Sequence, residues 1–146
     1  MDKFKNLIVL GPLIYAIHHF EEHTIFNFIE WKLQYFYHSA AALSTEAILA
    51  ILTCILVTFA LLHLVKNDRA SAHVILFMLF AIQVINAFYH IFFSFYFSDF
   101  SPGAITAALL YLPVNFLIAQ AAFREGYLKS YFEYGCIAFL GTTTFI

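Results

Sequence analysis

From Ser44 to Val65 the only charged side chain is Glu46. A helix needs about 20 apolar residues to cross a bilayer, and this run supplies them. Similar stretches recur near residues 7–26, 74–97, 104–123 and 131–146, the last being the shortest. A soluble fold does not accommodate such a pattern. The chain has 146 residues, of which 63% are hydrophobic and 11% charged, against about 25% charged in an average soluble domain. A soluble domain of this size leaves much of its surface exposed, so this much apolar area cannot be hidden. The expected fold is therefore an all-α integral membrane protein. Residues 1–146 would form a single bundle of four to five transmembrane helices, with the fifth stretch either spanning or packing as a partial helix.

Punctuation and charge orient the bundle. Ser44 is placed to cap the second span, and Asp99 or Ser101 the fourth, with Pro102 at its start. Arg124 and Gly126 close the fourth span. Pro12 and Pro113 lie inside spans and predict kinks. Lys3, Lys5, Lys66, Arg69, Arg124 and Lys129 fall on one side of these spans and only Lys32 on the other, which puts the N-terminus in the cytoplasm. The expected location is a plasma membrane, the inner membrane of a bacterium. Lys3 and Lys5 before an apolar run resemble a signal peptide. The run leads into His18-His19-Phe20-Glu21-Glu22-His23 rather than a small-residue cleavage site, so it reads as retained. The aromatic segment from Asn27 to Leu43 suits a helix in the outer interface. A net charge of −2 gives no basic footprint for nucleic acid. Cys54 and Cys136 stand alone and read as small apolar residues.

Ionisable groups inside a membrane are costly and face the bundle interior or water. At about 1.5 Å per residue, His18, Asn86 and Tyr111 lie about 20 Å from the cytoplasmic ends of their spans. Glu22 and His90 lie about 26 Å up, and Glu46 about 30 Å. Four helices thus place polar groups in one layer of the outer half. His18, Glu21 and Glu22 share a helix face, as do Asn86 and His90, and Tyr111 and Asn115. Two histidines with two or three carboxylates form a nitrogen–oxygen ligand set suited to Zn, Fe or Mn. The expected ligands are His18, Glu22, Glu46 and His90. Glu21 would be a further ligand or the general base, Tyr111 a catalytic side chain, and Asn86 and Asn115 supports of the ligands. Plainer readings stand beside these. Glu46 also suits the positive end of its own helix, His23 and His38 suit solvation near the outer interface, and the amide side chains suit hydrogen bonding between helices.

The six residues from His18 to His23 parse in two ways. His19-x-x-Glu22-His23 is the inverted zinc-peptidase pattern, in which both histidines bind metal and Glu22 is the base. His18-x-x-Glu21-Glu22 instead resembles the membrane protein family named HXXEE after that motif. That family also carries a further histidine, matched here by His90 in Asn86-Ala87-Phe88-Tyr89-His90. Its Tyr-x-Pro-Gly motif is matched by Phe100-Ser101-Pro102-Gly103, with Phe in place of Tyr. The resemblance runs from the first span to the start of the fourth. It implies a shared site but no reaction, the family's function being unassigned.

The leading expectation is an intramembrane metal-dependent enzyme, a hydrolase or oxygenase, holding one transition-metal ion, Zn or Fe. Its partners would be the lipid bilayer and an apolar or amphiphilic small molecule. A proton or metal-ion carrier or channel is the alternative, as is a structural protein with a metal-stapled bundle.

Overall fold

In the computed structural model residues 3–36 and 43–145 are described. They are helical almost throughout, and no strand occurs among them. The elements are α1 (Lys3–Ile8), α2 (Leu10–Phe20), α3 (Phe28–Tyr35), α4 (Thr45–Lys66), α5 (Arg69–Leu79), α6 (Ile85–Tyr96), α7 (Ala104–Thr106), α8 (Leu112–Arg124) and α9 (Tyr131–Phe145). Single π-helical turns, Glu21–Ile25, Phe80–Val84 and Ala107–Tyr111, extend α2, join α5 to α6 and join α7 to α8. Thr45–Lys66, Arg69–Tyr96 and Ala104–Arg124 are each long and apolar enough to cross a membrane. The first apolar stretch is divided at Val9, where Pro12 has no N–H to offer the carbonyl of Ile8. The second proline, Pro113, sits in the first turn of α8 just after a π turn, so both expected irregularities occur at prolines. The fifth stretch forms one 15-residue helix, which at 1.5 Å per residue covers roughly 22 Å.

Caps explain where the helices begin and end. The Ser44 hydroxyl accepts from Ala47 N at 3.2 Å, as its position predicts. Asp68 accepts from Ser71 N at 2.8 Å and starts α5 about one turn before the apolar run does. Asn67 closes α4 at φ 50° and Gly126 closes α8 at φ 79°, both left-handed. The expected cap of the fourth span is a correction. Asp99 instead accepts from Trp31 Nε1 at 3.0 Å and from Tyr35 Oη at 2.8 Å, fixing α3 against the end of α6. Ser101 faces His90, and Gly103 is the residue before α7. Helix α3 falls inside the segment expected to carry an interfacial helix, whereas residues 37–42, including His38, lie outside the described residues.

Two clusters of contacts mark the ends of the bundle. At one end Lys3 N donates to Glu125 at 2.7 Å, Tyr127 Oη to Asn67 at 2.7 Å, and Arg69 pairs with Glu133 at 2.8 Å. The start of α1, the α4–α5 turn and the α8–α9 connection therefore meet, and the long rods alternate in direction. Between the ends the core is Phe4, Ile8, Leu56, Ile75, Leu79, Ile118 and Ala122, all fully buried. Gly11 lets α5 approach α2: a Cβ there would lie 2.7 Å from Leu79 Cδ2. Gly141 likewise brings α9 onto Phe80 and Ala81. The outward faces carry Leu13, Ile17, Phe20, Leu61, Val65, Phe92, Phe95, Leu109 and Phe116, all exposed.

Candidate metal centre

The site forms where α2, with its π turn, meets α6 and the α6–α7 turn. His18 and Glu22 are i, i+4 on one helix, and α6 brings His90 against them. His90 Nε2 lies 3.2 Å from Glu22 Oε1, and His18 Nε2 lies 3.7 Å from Glu22 Oε2. One ligand atom from each of the three residues falls within 4.8 Å of the others, so the trio can hold a metal ion. All three side chains are buried, His90 completely.

Hydroxyls fix both rings. His18 Nδ1 sits 2.8 Å from Thr106 Oγ1, and His90 Nδ1 sits 2.9 Å from Ser101 Oγ. Ser101 is held in turn, its N donating to Ser94 Oγ at 3.0 Å. This leaves each Nε2 aimed inward, and by strict geometry neither has a hydrogen-bond partner among the described residues. His90 Nε2 and Glu22 Oε1 nevertheless lie 3.2 Å apart, close enough to interact directly. Two buried nitrogens that converge on one carboxylate suit a shared cation. Their outer nitrogens, oriented by side-chain oxygens, match the support that metal-binding histidines ordinarily have.

Gly103 closes the group. Its φ is +96°, and a Cβ there would lie 2.8 Å from His18 Cε1 and 3.2 Å from His90 Nε2. Only glycine takes that conformation and leaves both rings in place. The Ser101-Pro102-Gly103 turn is thus one wall of the site. Phe100 is turned away from it, packing against Phe26 at 5.1 Å between ring centroids, so the absent tyrosine hydroxyl is not missed at the ligands.

The other expected site residues are placed as follows. Glu21 points to α7, where its carboxylate accepts from Ile105 N at 3.2 Å and Thr106 N at 2.8 Å. It is the cap that α7 lacks from its own sequence, and those bonds also position Thr106 against His18. Tyr111 is fully buried with its ring 4.4 Å from that of His18, and its hydroxyl has no hydrogen-bond partner among the described residues. Asn115 lies a turn further, donating to Gln83 Oε1 at 2.8 Å and to the carbonyl of Tyr111 at 2.9 Å. Gln83 donates to the carbonyl of Gly11 at 2.7 Å. Asn115 therefore belongs to a second polar layer beneath the site. Asn86 is half-buried with an unpaired Oδ1.

Glu46 stands apart from the trio. It is exposed in the first turn of α4 and belongs to neither group of residues able to hold a metal. It lines instead a cavity of about 990 Å³ that also reaches His18, His19, Glu22, His23 and Asn86. His23, expected to be solvated, is half-buried with Nε2 3.5 Å from Glu22 Oε2. His19, Glu22 and His23 form a second group whose ligand atoms lie within 4.8 Å of one another. Sequence reasoning did not select Ser101, Thr106 or the His19–His23 pair as supports or ligands. The Pro-Gly turn beside His90 and the inverted peptidase spacing were the signals for them.

Over residues 9–118 the chain matches the family described as protein of unknown function with HXXEE motif, and it belongs to that family. No curated protein and no solved structure matches it. The matched span contains every candidate ligand and support just described, from His18 to Thr106.

Proposed function

We propose that this protein is an integral membrane enzyme that uses a transition-metal ion, Zn or Fe, to act on an apolar or amphiphilic molecule. The observation that carries the reading is the convergence on Glu22 of the buried Nε2 atoms of His18 and His90, which have no strict hydrogen-bond partner among the described residues. Their other nitrogens are fixed by hydroxyls, and they face Glu22 beside a 990 Å³ cavity. A cavity of this size fits a small ligand, and Ile48, Leu52, Ile55, Phe77 and Met78 give it apolar walls. The exposed apolar faces of the bundle support membrane insertion, with four or five helices crossing. The lysines and arginines favour a cytoplasmic N-terminus. Lateral entry from lipid would deliver the substrate.

When bound, a zinc ion would supply Lewis acidity and an iron ion redox chemistry. The chain's own residues do the rest. Thr106 and Ser101 hold His18 and His90 in one ring orientation. Glu22 supplies the charge that balances a cation in a low-dielectric setting. The apolar cavity walls keep bulk water from the substrate. Tyr111 is behind His18 and outside the cavity lining, so it shapes the site through His18.

A channel for protons or ions is less well supported. One to two turns from Gln83 toward the start of α5 the buried residues are Leu79, Leu76 and Ile75, which interrupt the polar path. The test is metal analysis of detergent-purified protein, before and after incubation with zinc or ferrous iron and desalting. Wild type should retain metal, and His90→Ala should retain less with unchanged helicity by circular dichroism. Wild-type protein that is fully helical yet binds neither metal would sink the reading.

A further inference from the structure

We propose that Glu22 bridges two cation positions rather than serving one. The inner position is the enclosed one, made with His18 and His90. The outer position is made with His19 and His23 and opens on the cavity. The inference rests on the metal reading above and extends it to a dinuclear centre.

The geometry follows from spacing. His18 and Glu22 are i, i+4, His19 and His23 are i, i+4, and Glu22 is i+3 from His19, so its carboxylate stands between two histidine faces of one helix. The π turn over Glu21–Ile25 starts just ahead of Glu22 and carries it and His23. The carboxylate is used from both sides: Oε1 faces His90 at 3.2 Å, while Oε2 lies 3.5 Å from His23 and 3.7 Å from His18. The His19 and His23 rings lie 4.4 Å apart between centroids, inclined at 50°. That arrangement brings two ring nitrogens near one oxygen without stacking the rings. Two-metal sites hold their ions about 3.5–4 Å apart, a separation that one bridging carboxylate sets.

The two positions differ in access. Of the inner trio, His18 and Glu22 reach the cavity wall, while His90 lies behind them and does not line it, and Gly103 covers the inner pair of rings. His19 and His23 both line the cavity, with Glu46 on the same wall. A closed set of protein ligands suits an ion that stays, and a site with open coordination suits one that meets ligand. The inner ion would therefore anchor Glu22. The outer ion would take an oxygen donor from an amphiphile whose apolar part occupies the cavity. Glu46 on the wall would offset the outer ion's charge.

The probe is zinc alone, titrated into metal-stripped, detergent-purified full-length protein, with bound metal counted after desalting. Wild type should hold about two ions per chain. The double variant His19→Ala/His23→Ala should hold about one, His90→Ala should lose the inner ion, and Glu22→Gln should weaken both. Circular dichroism checks folding, and His23→Asn replaces the double variant if that one loses helicity. A wild type that binds about one ion, with the double variant unchanged, overturns the bridge and leaves the inner site standing. A folded wild type that binds none overturns both readings.

Discussion

Gly103 shows how few atoms decide the site. At φ +96° an alanine would meet a left-handed backbone cost of about 1–2 kcal/mol, and its Cβ would fall 2.8 Å from a fully buried imidazole. Neither His18 nor His90 has room to retreat, since Thr106 and Ser101 hold their far nitrogens. Gly103→Ala should lower the thermal midpoint and metal retention together. The hydroxyls are expected to act on metal alone. Ser101→Ala or Thr106→Ala should reduce zinc affinity about 10- to 100-fold, as removal of such supports ordinarily does. Phe100→Tyr, against Phe26, should leave both readouts unchanged. At this scale the residues that come together, His18, Glu22 and His90, were legible, and the hydroxyls beside them were not. The 18–22 spacing places His18 and Glu22 on one face, and a lone histidine in a span needs a partner. But Glu21 meets amides more than eighty positions away, and no local pattern distinguishes a carboxylate that caps a distant helix from one that ligates. Glu46 falls outside the trio for the opposite reason: depth along α4 says nothing of rotation about the helix axis.

Helix ends and interruptions are local matters, and most of them could be read. Ser44, Gly126 and the prolines act where their chemistry puts them. The π turns could not be read, because an extra residue in a turn leaves no compositional mark. They lie next to His18, at Gln83 and at Tyr111, the positions from which three rods reach the centre of the bundle. Gln83 joins two of those rods to the third, through Gly11 and Asn115. Gln83→Leu should take one hydrogen bond each from the Gly11 carbonyl and the Asn115 amide, which keeps its bond to Tyr111, and cost about 1–3 kcal/mol in stability, read from thermal unfolding in detergent. Asp68 offers a pH test outside the spans. The backbone N–H of Ser71, first, and then its hydroxyl hold the Asp68 carboxyl below the usual carboxylate range. A depressed folded value means that stability is present above the unfolded pKa, about 3.9, and is lost as pH falls through the folded one. The gap in thermal midpoint between wild type and Asp68→Ala should therefore be widest near neutral pH and shrink in strong acid.

For the molecule as a whole, the apolar runs gave the helical bundle and left its handedness in the membrane to a handful of charges. The contacts sharpen that argument. Lys3, Arg69 and the Glu125–Glu133 segment gather at one end of the bundle, bonded to one another. Lys32 belongs to α3, tied by Trp31 and Tyr35 to Asp99 at the end that holds the candidate metal centre. An orientation that reversed this would place the dense basic end outside, against the charge rule. It can be tested with single cysteines. Cys54 and Cys136 are both exposed, so alanine at each leaves the core intact and removes background labelling. In that background Lys32→Cys should react with a membrane-impermeant maleimide added to intact cells, and Lys66→Cys only after permeabilisation. The reverse pattern would turn the protein over and place the cavity on the cytoplasmic side. The substrate would then have to come from the inner leaflet or the cytoplasm.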